Sequence, residues 1–253
     1  MKNAVEEKIR ISAVSYLNTL PFVYGLKNIT LGFSTDLSLD TPAECARKLI
    51  HNEADLGLVP VASIPGINNA EIVSDFCIGA IGKVQTVLLL SNYPLKEIKT
   101  IFLDTDSRTS VKLLKILGKR FWKRDFEWRT MDISNYRGNR PVGFLMIGDK
   151  TFAERKKFKY GIDLSLEWER FTGLPFVFAA WVANKHLPAD FVNNFNRALR
   201  YGIENIDRAS EGYENGLIGY EDLKDYLKHS ISYSLDAKKK QAMTLFLQYA
   251  ASL

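Results

Sequence analysis

Only two cysteines and three histidines occur among 253 residues, and that scarcity removes several kinds of chemistry. Cys45 and Cys77 lie far apart, form no CxxC pair and have no neighbouring His, so a zinc motif, a redox dithiol and a disulfide framework all lack their residues. His51, His186 and His229 fall at or near predicted helix ends and at no strand-end loop, which leaves no constellation for a Ser-His-Asp triad or a His-ligated metal. Nowhere do 18 uncharged apolar residues run together, and neither GxGxxG nor GxxxxGK[ST] occurs, so a spanning helix and the glycine loops for nucleotides are missing. Met1 to Arg10 has no apolar h-region; the expectation is a cytoplasmic protein with no membrane attachment.

What the chain does contain suits a folded protein: 46% hydrophobic and 25% charged residues, with 8 prolines. Disorder and collagen-like repetition are excluded. The length admits one large domain or two of roughly 100–130 residues. Thirty-four Lys and Arg against 29 Asp and Glu leave a formal charge of +5, which attracts small anions and falls well short of a nucleic-acid-coating surface.

Strand and helix patterns alternate through most of the first 180 residues, predicting an α/β protein with largely parallel sheets. Ile9 to Val14 reads as the first strand and breaks at the polar turn Ser15-Tyr16-Leu17-Asn18-Thr19. Thr41-Pro42-Ala43-Glu44 is a capping box with proline at the first helical position, so a helix begins there. Ala54 to Val59 follows as a buried strand stopped by Pro60. Further strands are predicted near Ile72 and over Val84 to Leu90, Thr100 to Leu103, Phe126 to Met131, Val142 to Ile147 and Phe176 to Ala183. Ser110 to Phe121 reads as an amphipathic helix, and the chain after Pro188 reads as helix over Pro188 to about Ala209, Tyr220 to His229 and Asp236 to Ala250. A segment crossing out near residue 90 and back near residue 180 describes two lobes: lobe 1 from residues 1–90 and 182–253, and lobe 2 from residues 91–181, with a cleft between them.

Open α/β sheets present ligand contacts at the carboxyl ends of their strands. Asn18 occupies such a loop, where it either orients a ligand or makes the local hydrogen bonds usual for Asn in a turn. The loop Asp104 to Ser110 leads from a strand into a helix, where free N–H groups, hydroxyls and the helix dipole suit a carboxylate. The plainer reading is that Thr109 or Ser110 caps the helix. Arg108 is either a ligand clamp or a surface charge. Thr86 sits in an apolar run where a β-branched residue needs no special role, and a hydroxyl facing the cleft is the alternative. Asp149, in Gly148-Asp149-Lys150-Thr151, is either a site residue or a helix cap. Lys112, Lys115, Lys119, Arg120, Lys123 and Arg124 follow helical spacing opposite the apolar face and read as a solvated surface, with steering of an anion the lesser reading.

Four segments, in order, go further together. Val14-Ser15-Tyr16-Leu17-Asn18-Thr19-Leu20-Pro21, Asp55-Leu56-Gly57-Leu58-Val59-Pro60-Val61, Asp106-Ser107-Arg108-Thr109-Ser110-Val111 and Thr172-Gly173-Leu174-Pro175-Phe176-Val177-Phe178-Ala179 resemble the chorismate dehydratase family of the futalosine route to menaquinone. The likeness runs from about Ile9 to the Ile231-Ser232-Tyr233 region. It implies an α/β, type II periplasmic-binding-protein-like fold, two lobes joined by two crossover strands. It also implies conversion of chorismate to 3-[(1-carboxyvinyl)oxy]benzoate with loss of water, needing no metal or organic cofactor. Carried over residue by residue, the resemblance implies Asn18 and Thr86 as catalytic residues, Thr86 standing where the family commonly has serine. It implies Ser15, Tyr16, Ser107, Arg108, Thr109, Ser110, Gly148 and Asp149 as substrate-binding residues.

On this reading the partner is a small molecule, with no nucleic acid and no membrane. Elimination removes the ring proton next to the enolpyruvyl ether and expels the neighbouring hydroxyl. Hydrogen bonds to the ring carboxylate stabilise the dienolate-like transition state. No His or Lys occupies the matched motifs, so the substrate's own enolpyruvyl carboxylate is the expected base, with Asp149 the alternative. The rivals are three. A non-catalytic binder of small dicarboxylates is expected to carry an export signal or lipid-attachment cysteine. The effector lobe of a transcription regulator is expected to follow a helix-turn-helix. The synthase of 1,4-dihydroxy-6-naphthoate in the same route is disfavoured by the Ser-Tyr-Leu-Asn and Ser-Arg-Thr-Ser segments.

Overall fold

The structure, a computed structural model, describes residues 8–104, 106–130, 140–213 and 216–253. Its strands are β1 (Ile9–Val14), β2 (Thr35–Asp40), β3 (Leu56–Pro60), β4 (Glu71–Ala80), β5 (Val87–Ser91), β6 (Thr100–Leu103), β7 (Glu127–Thr130), β8 (Val142–Ile147), β9 (Tyr160–Asp163), β10 (Phe176–Ala183) and β11 (Ser232–Ser234). They form two mixed sheets, one ordered β11-β4-β10-β3-β1-β2 and the other β7-β6-β8-β5-β9. The helices are α1 (Leu20–Asn28), α2 (Pro42–Ile50), α3 (Arg108–Ile116), α4 (Thr151–Glu154), α5 (Leu164–Thr172), α6 (Ala189–Glu204), α7 (Ile206–Ser210), α8 (Tyr220–Asp225) and α9 (Ala237–Ala251).

β3 and β10 are buried at every residue, which is why both read as unbroken apolar runs rather than alternating ones. Helix α2 packs on β1 and β3, α6 on β4, and α9 on β10. The N-terminus of α2 is capped as its sequence requires: the Thr41 hydroxyl accepts from the Glu44 N–H.

The expectation of largely parallel sheets needs correction. β1 runs parallel to β2 and β3, and β6 parallel to β7 and β8. β10 is antiparallel to β3 and β4, β11 to β4, and β5 to β8 and β9. The reason is connectivity: β5 and β10 are entered from the opposite sheet, so neither follows the βα crossover that forces a parallel neighbour. Sheet membership also shows where the chain passes across. β5 pairs wholly within the second sheet and β10 wholly within the first. The passages are therefore residues 81–86 and 173–175, whereas the divisions anticipated at 90/91 and 181/182 fall inside strands. The predicted strand over Phe126 to Met131 is β7, and Met131, Thr105 of the anion loop and residues 1–7 lie outside the described residues.

Helix α1 starts at the end of the Asn18 loop, and its position is set by α6. A Cβ at Gly25 would run into the carbonyl oxygen of Ala198, and one at Gly202 into that of Pro21. The two backbones touch at reciprocal glycines, leaving no room for even a methyl group. Gly202→Ala is therefore expected to cost about 3 kcal/mol of stability, measured by urea or thermal unfolding. A loss below about 1 kcal/mol, the scale of glycine's backbone entropy, would show that the helices can slide apart.

Candidate active site

A cleft opens at the carboxyl ends of β1, β3 and β8, beside the first passage between the sheets. Its polar lining comes from both sides: Tyr16 and Asn18 after β1, Thr86 from the passage, Ser107 and Ser110 at the start of α3, and Gly148 after β8. Val14, Ile78, Val84 and Phe178 supply apolar walls. Among the described residues no Lys, Arg, His, Asp or Glu lines it. An anion entering the cleft would meet neutral donors, namely hydroxyls, an amide and the positive end of a helix dipole. Among the described residues no group of His, Cys, Asp or Glu side chains gathers as metal ligands would.

The start of α3 differs from the sequence reading. Ser107 is the cap, its Oγ accepting from the Ser110 N–H at 3.3 Å and lying 3.1 Å from the Ser110 hydroxyl. The helix thus begins at Arg108, two residues before the expected Ser110. Residues 107 and 110 share a face, whereas 108 and 109 are rotated away by about 100° per residue. Thr109 is fully buried outside the cleft, its Oγ1 accepting from the Ala62 N–H at 3.1 Å, and it ties α3 to the turn after β3. Arg108 is exposed and lines a surface groove with Lys112 and Lys115. Ser15 is exposed as well, its N–H donating to the Asp40 carbonyl. The structure brings together Tyr16, Asn18, Thr86, Ser107, Ser110 and Gly148, and leaves Ser15, Arg108 and Thr109 outside the lining.

Asp149 is next to the cleft but not among its lining side chains. Both its carboxylate oxygens lie 3.2 Å from the Leu17 N, which donates to them and joins the loop after β8 to the loop after β1. Burial pushes this carboxyl up from 3.8 to about 6, with the Leu17 N–H pulling the other way. Beside it, Gly148 has φ +71°, and its N–H donates to the Thr86 carbonyl at 2.9 Å. A Cβ there would come within 3.0 Å of the Tyr16 ring, so glycine is required for conformation and for space. Burial, then the charges of Asp106, Asp104 and Asp149, raise the Tyr16 phenol well above its ordinary range, keeping it a donor.

Two residues to which the sequence reading assigns no site role support the two expected catalytic residues, one through a side chain and the other through the backbone. The Tyr226 hydroxyl lies 2.9 Å from Thr86 Oγ1, and the Tyr233 hydroxyl donates to the Asn18 carbonyl at 3.1 Å. The Asn18 Oδ1 accepts from Thr19 Oγ1 at 3.1 Å. Leu223, Tyr226, Leu227 and Ser230 recur at helical spacing and are all buried, which is the signal that marks Tyr226 as inward-facing. Gln85, just before Thr86, has φ +65°. Its N–H donates to Asp163 at 2.8 Å, its Nε2 to the Ser230 hydroxyl at 2.7 Å, and its Oε1 accepts from Arg155 at 3.1 Å.

The raised Asp149 carboxyl has a direct consequence. Between pH about 4 and about 6 the folded state holds more protons at this site than the unfolded state, so stability falls as pH rises. The penalty is absent below that window and complete above it. Asp149→Asn is expected to be increasingly more stable than the unsubstituted protein from pH 4 to pH 6, with a constant gap beyond, in urea titrations across pH. A gap that does not change with pH would refute the buried charge.

A family model described as menaquinone biosynthesis matches residues 9–252. The chorismate dehydratase of Thermus thermophilus is 25% identical over 233 residues, covering 82% of this chain and 83% of that protein. The chorismate dehydratase of Campylobacter jejuni is 25% identical over 252 residues, covering 95% and 96%. Among solved structures, a protein of Archaeoglobus fulgidus superposes with a TM-score of 0.76 at 16% identity over 97% of both chains. A Candida albicans protein described as having the generic periplasmic-binding-protein fold gives 0.68 at 13% identity over 98% of this chain and 91% of that one. The fold is thus the periplasmic-binding-protein-like one expected from the sequence. With the family model running from β1 almost to the end of α9, the chain belongs to the menaquinone biosynthesis family.

Proposed function

We propose that the protein is a chorismate dehydratase, a hydro-lyase that eliminates water from chorismate to give 3-[(1-carboxyvinyl)oxy]benzoate, and that Asn18 and Thr86 touch the substrate. Similarity over most of each chain to two proteins of that name supports the activity. The observation that carries the mechanism is the cleft itself: convergent neutral donors, with no charged base or acid lining it among the described residues.

Chorismate carries two carboxylates. Ser107, Ser110 and the N-terminus of α3 suit one of them, and Asn18 and Tyr16 suit groups on the facing side. The C–H bond beside the enolpyruvyl ether is vinylogous to the ring carboxylate, so its electron pair moves toward that carboxylate as the proton leaves. Fixed hydrogen bonds to the carboxylate oxygens stabilise the charge that develops. The pair then returns to expel the neighbouring hydroxyl, which leaves with a proton as water, and the ring becomes aromatic. The proton is taken by the substrate's own enolpyruvyl carboxylate, held close by the cleft. The Asp149 carboxylate is already engaged by the Leu17 N–H and does not line the cleft, which supports this choice of base. Closure of the two lobes around a bound ligand would exclude water from the reaction.

Purified protein incubated with chorismate and a chelator is expected to give an aromatic product lighter by one water, detected by chromatography and mass. Binding without turnover would instead indicate a dicarboxylate binder. Thr86→Ala and Asn18→Ala are each expected to lower kcat by roughly 100-fold, the scale for losing one transition-state donor. Asp149→Asn is expected to retain turnover, and its abolition with binding intact would make Asp149 the base.

A further inference from the structure

The segment from Tyr226 to Tyr233 reaches the cleft residues from behind at three points. Tyr226 meets Thr86, Ser230 accepts from Gln85, and Tyr233 donates to the Asn18 backbone. Of these, the Tyr226 contact bears on a group whose orientation decides its chemistry. Thr86 is 2% exposed, and among the described residues its hydroxyl lies near the Tyr226 hydroxyl at 2.9 Å and the Val84 carbonyl at 3.4 Å. Its single hydrogen can point to Tyr226, weakly to Val84, or into the cleft.

A phenol is the more acidic of two hydroxyls and the stronger donor. Burial and the nearby Asp149 charge keep the Tyr226 phenol protonated, while the Asn18 side chain is close enough to act on it as well. Tyr226 is fixed by packing: its ring meets Phe152 edge-on at 5.1 Å and its side chain is 1% exposed. With the phenol donating to Thr86 Oγ1, the Thr86 hydrogen is released from that direction and becomes available to the cleft. A hydroxyl that accepts one hydrogen bond also donates the next one more strongly.

We propose that Tyr226 is a positioning residue: its hydroxyl donates to Thr86 Oγ1, aims the Thr86 hydrogen into the cleft and so prepares it to hydrogen-bond the departing hydroxyl of the substrate. This rests on the dehydratase reading. The role is indirect, since Tyr226 touches the lining residue Thr86 and does not itself line the cleft.

Tyr226→Phe keeps the ring and its Phe152 contact. The experiment measures kcat and KM for chorismate in the unsubstituted protein, Tyr226→Phe, Thr86→Val and the double variant, with unfolding midpoints for each. Tyr226→Phe is expected to lower kcat about ten-fold, the scale of one hydrogen bond, with KM changed less than two-fold. In the Thr86→Val background, which has no hydroxyl to aim, the same substitution is expected to change kcat by less than two-fold. Equal losses in both backgrounds would make the contribution merely structural and overturn the proposal. So would an unchanged kcat in Tyr226→Phe. Absence of turnover in the unsubstituted protein would overturn the dehydratase reading first, and this proposal with it. If Tyr226→Phe does not fold, 3-fluorotyrosine at 226 preserves the contacts with a more acidic donor. A changed kcat at constant KM then supports the proposal, and an unchanged kcat overturns it.

Discussion

The arrangement of the cleft depends on how the chain leaves the first sheet for the second, and that passage turns on Gln85. A non-glycine residue with φ +65° is held there at a cost of about 1–3 kcal/mol, which only surrounding contacts can offset. They come from three directions: Asp163 at the end of β9, Ser230 near the C-terminus, and Arg155 beyond α4. The carboxylate of Asp163 also accepts from Ser165 and Leu166 to cap α5. The bend that delivers Thr86 to the cleft is thereby fixed to the second sheet and to the C-terminal segment at once.

Among the described residues no positive side chain lines the cleft, so on the proposed reading it meets negative charge with neutral donors alone. Arg108, Lys112 and Lys115 lie on a surface groove, where their charge acts at long range and is screened by salt. Inside, affinity must come from aimed dipoles, whose strength depends on dry surroundings and fixed geometry. This makes the supporting contacts as important as the donors. Gly148 lets Tyr16 lie against the second lobe, Asp149 secures the Leu17 N–H, and the buried phenols hold Thr86 and the Asn18 backbone.

Much of this was legible in the residues. β1, β8 and β10 occupy the predicted spans, β8 and β10 because each is a continuous apolar run and β1 because apolar residues alternate with Arg10 and Ser12 before a polar turn, and α2 begins where its capping box says. β2 was not legible: Thr35–Asp40 is an edge strand, half-buried and largely polar, held by pairing to β1 rather than by its own pattern. β9 is four residues long and lies at the other edge. In the site, Asn18 is legible from its place after the first strand as well as from the resemblance, and a cleft role for Thr86 rests on the resemblance. The resemblance also carries Arg108 and Thr109 into the site, yet a helical register separates neighbours that a loop would keep together. Tyr226 and Tyr233 lie 140 and 215 positions from their partners, and nothing local in either stretch records that separation.

The strands of the second sheet come from one uninterrupted stretch, residues 87–163, whose first strand β5 lies against its last, β9. The first sheet is assembled from the sequence on either side. In gene terms this is a cassette within a host. Recombination of a single contiguous segment would exchange Ser107, Ser110 and Gly148 together, leaving Tyr16, Asn18 and the two buried phenols in place. One half of the ligand's surroundings can therefore be replaced as a unit while the other is inherited unchanged, a route by which a single scaffold diversifies its small-molecule repertoire.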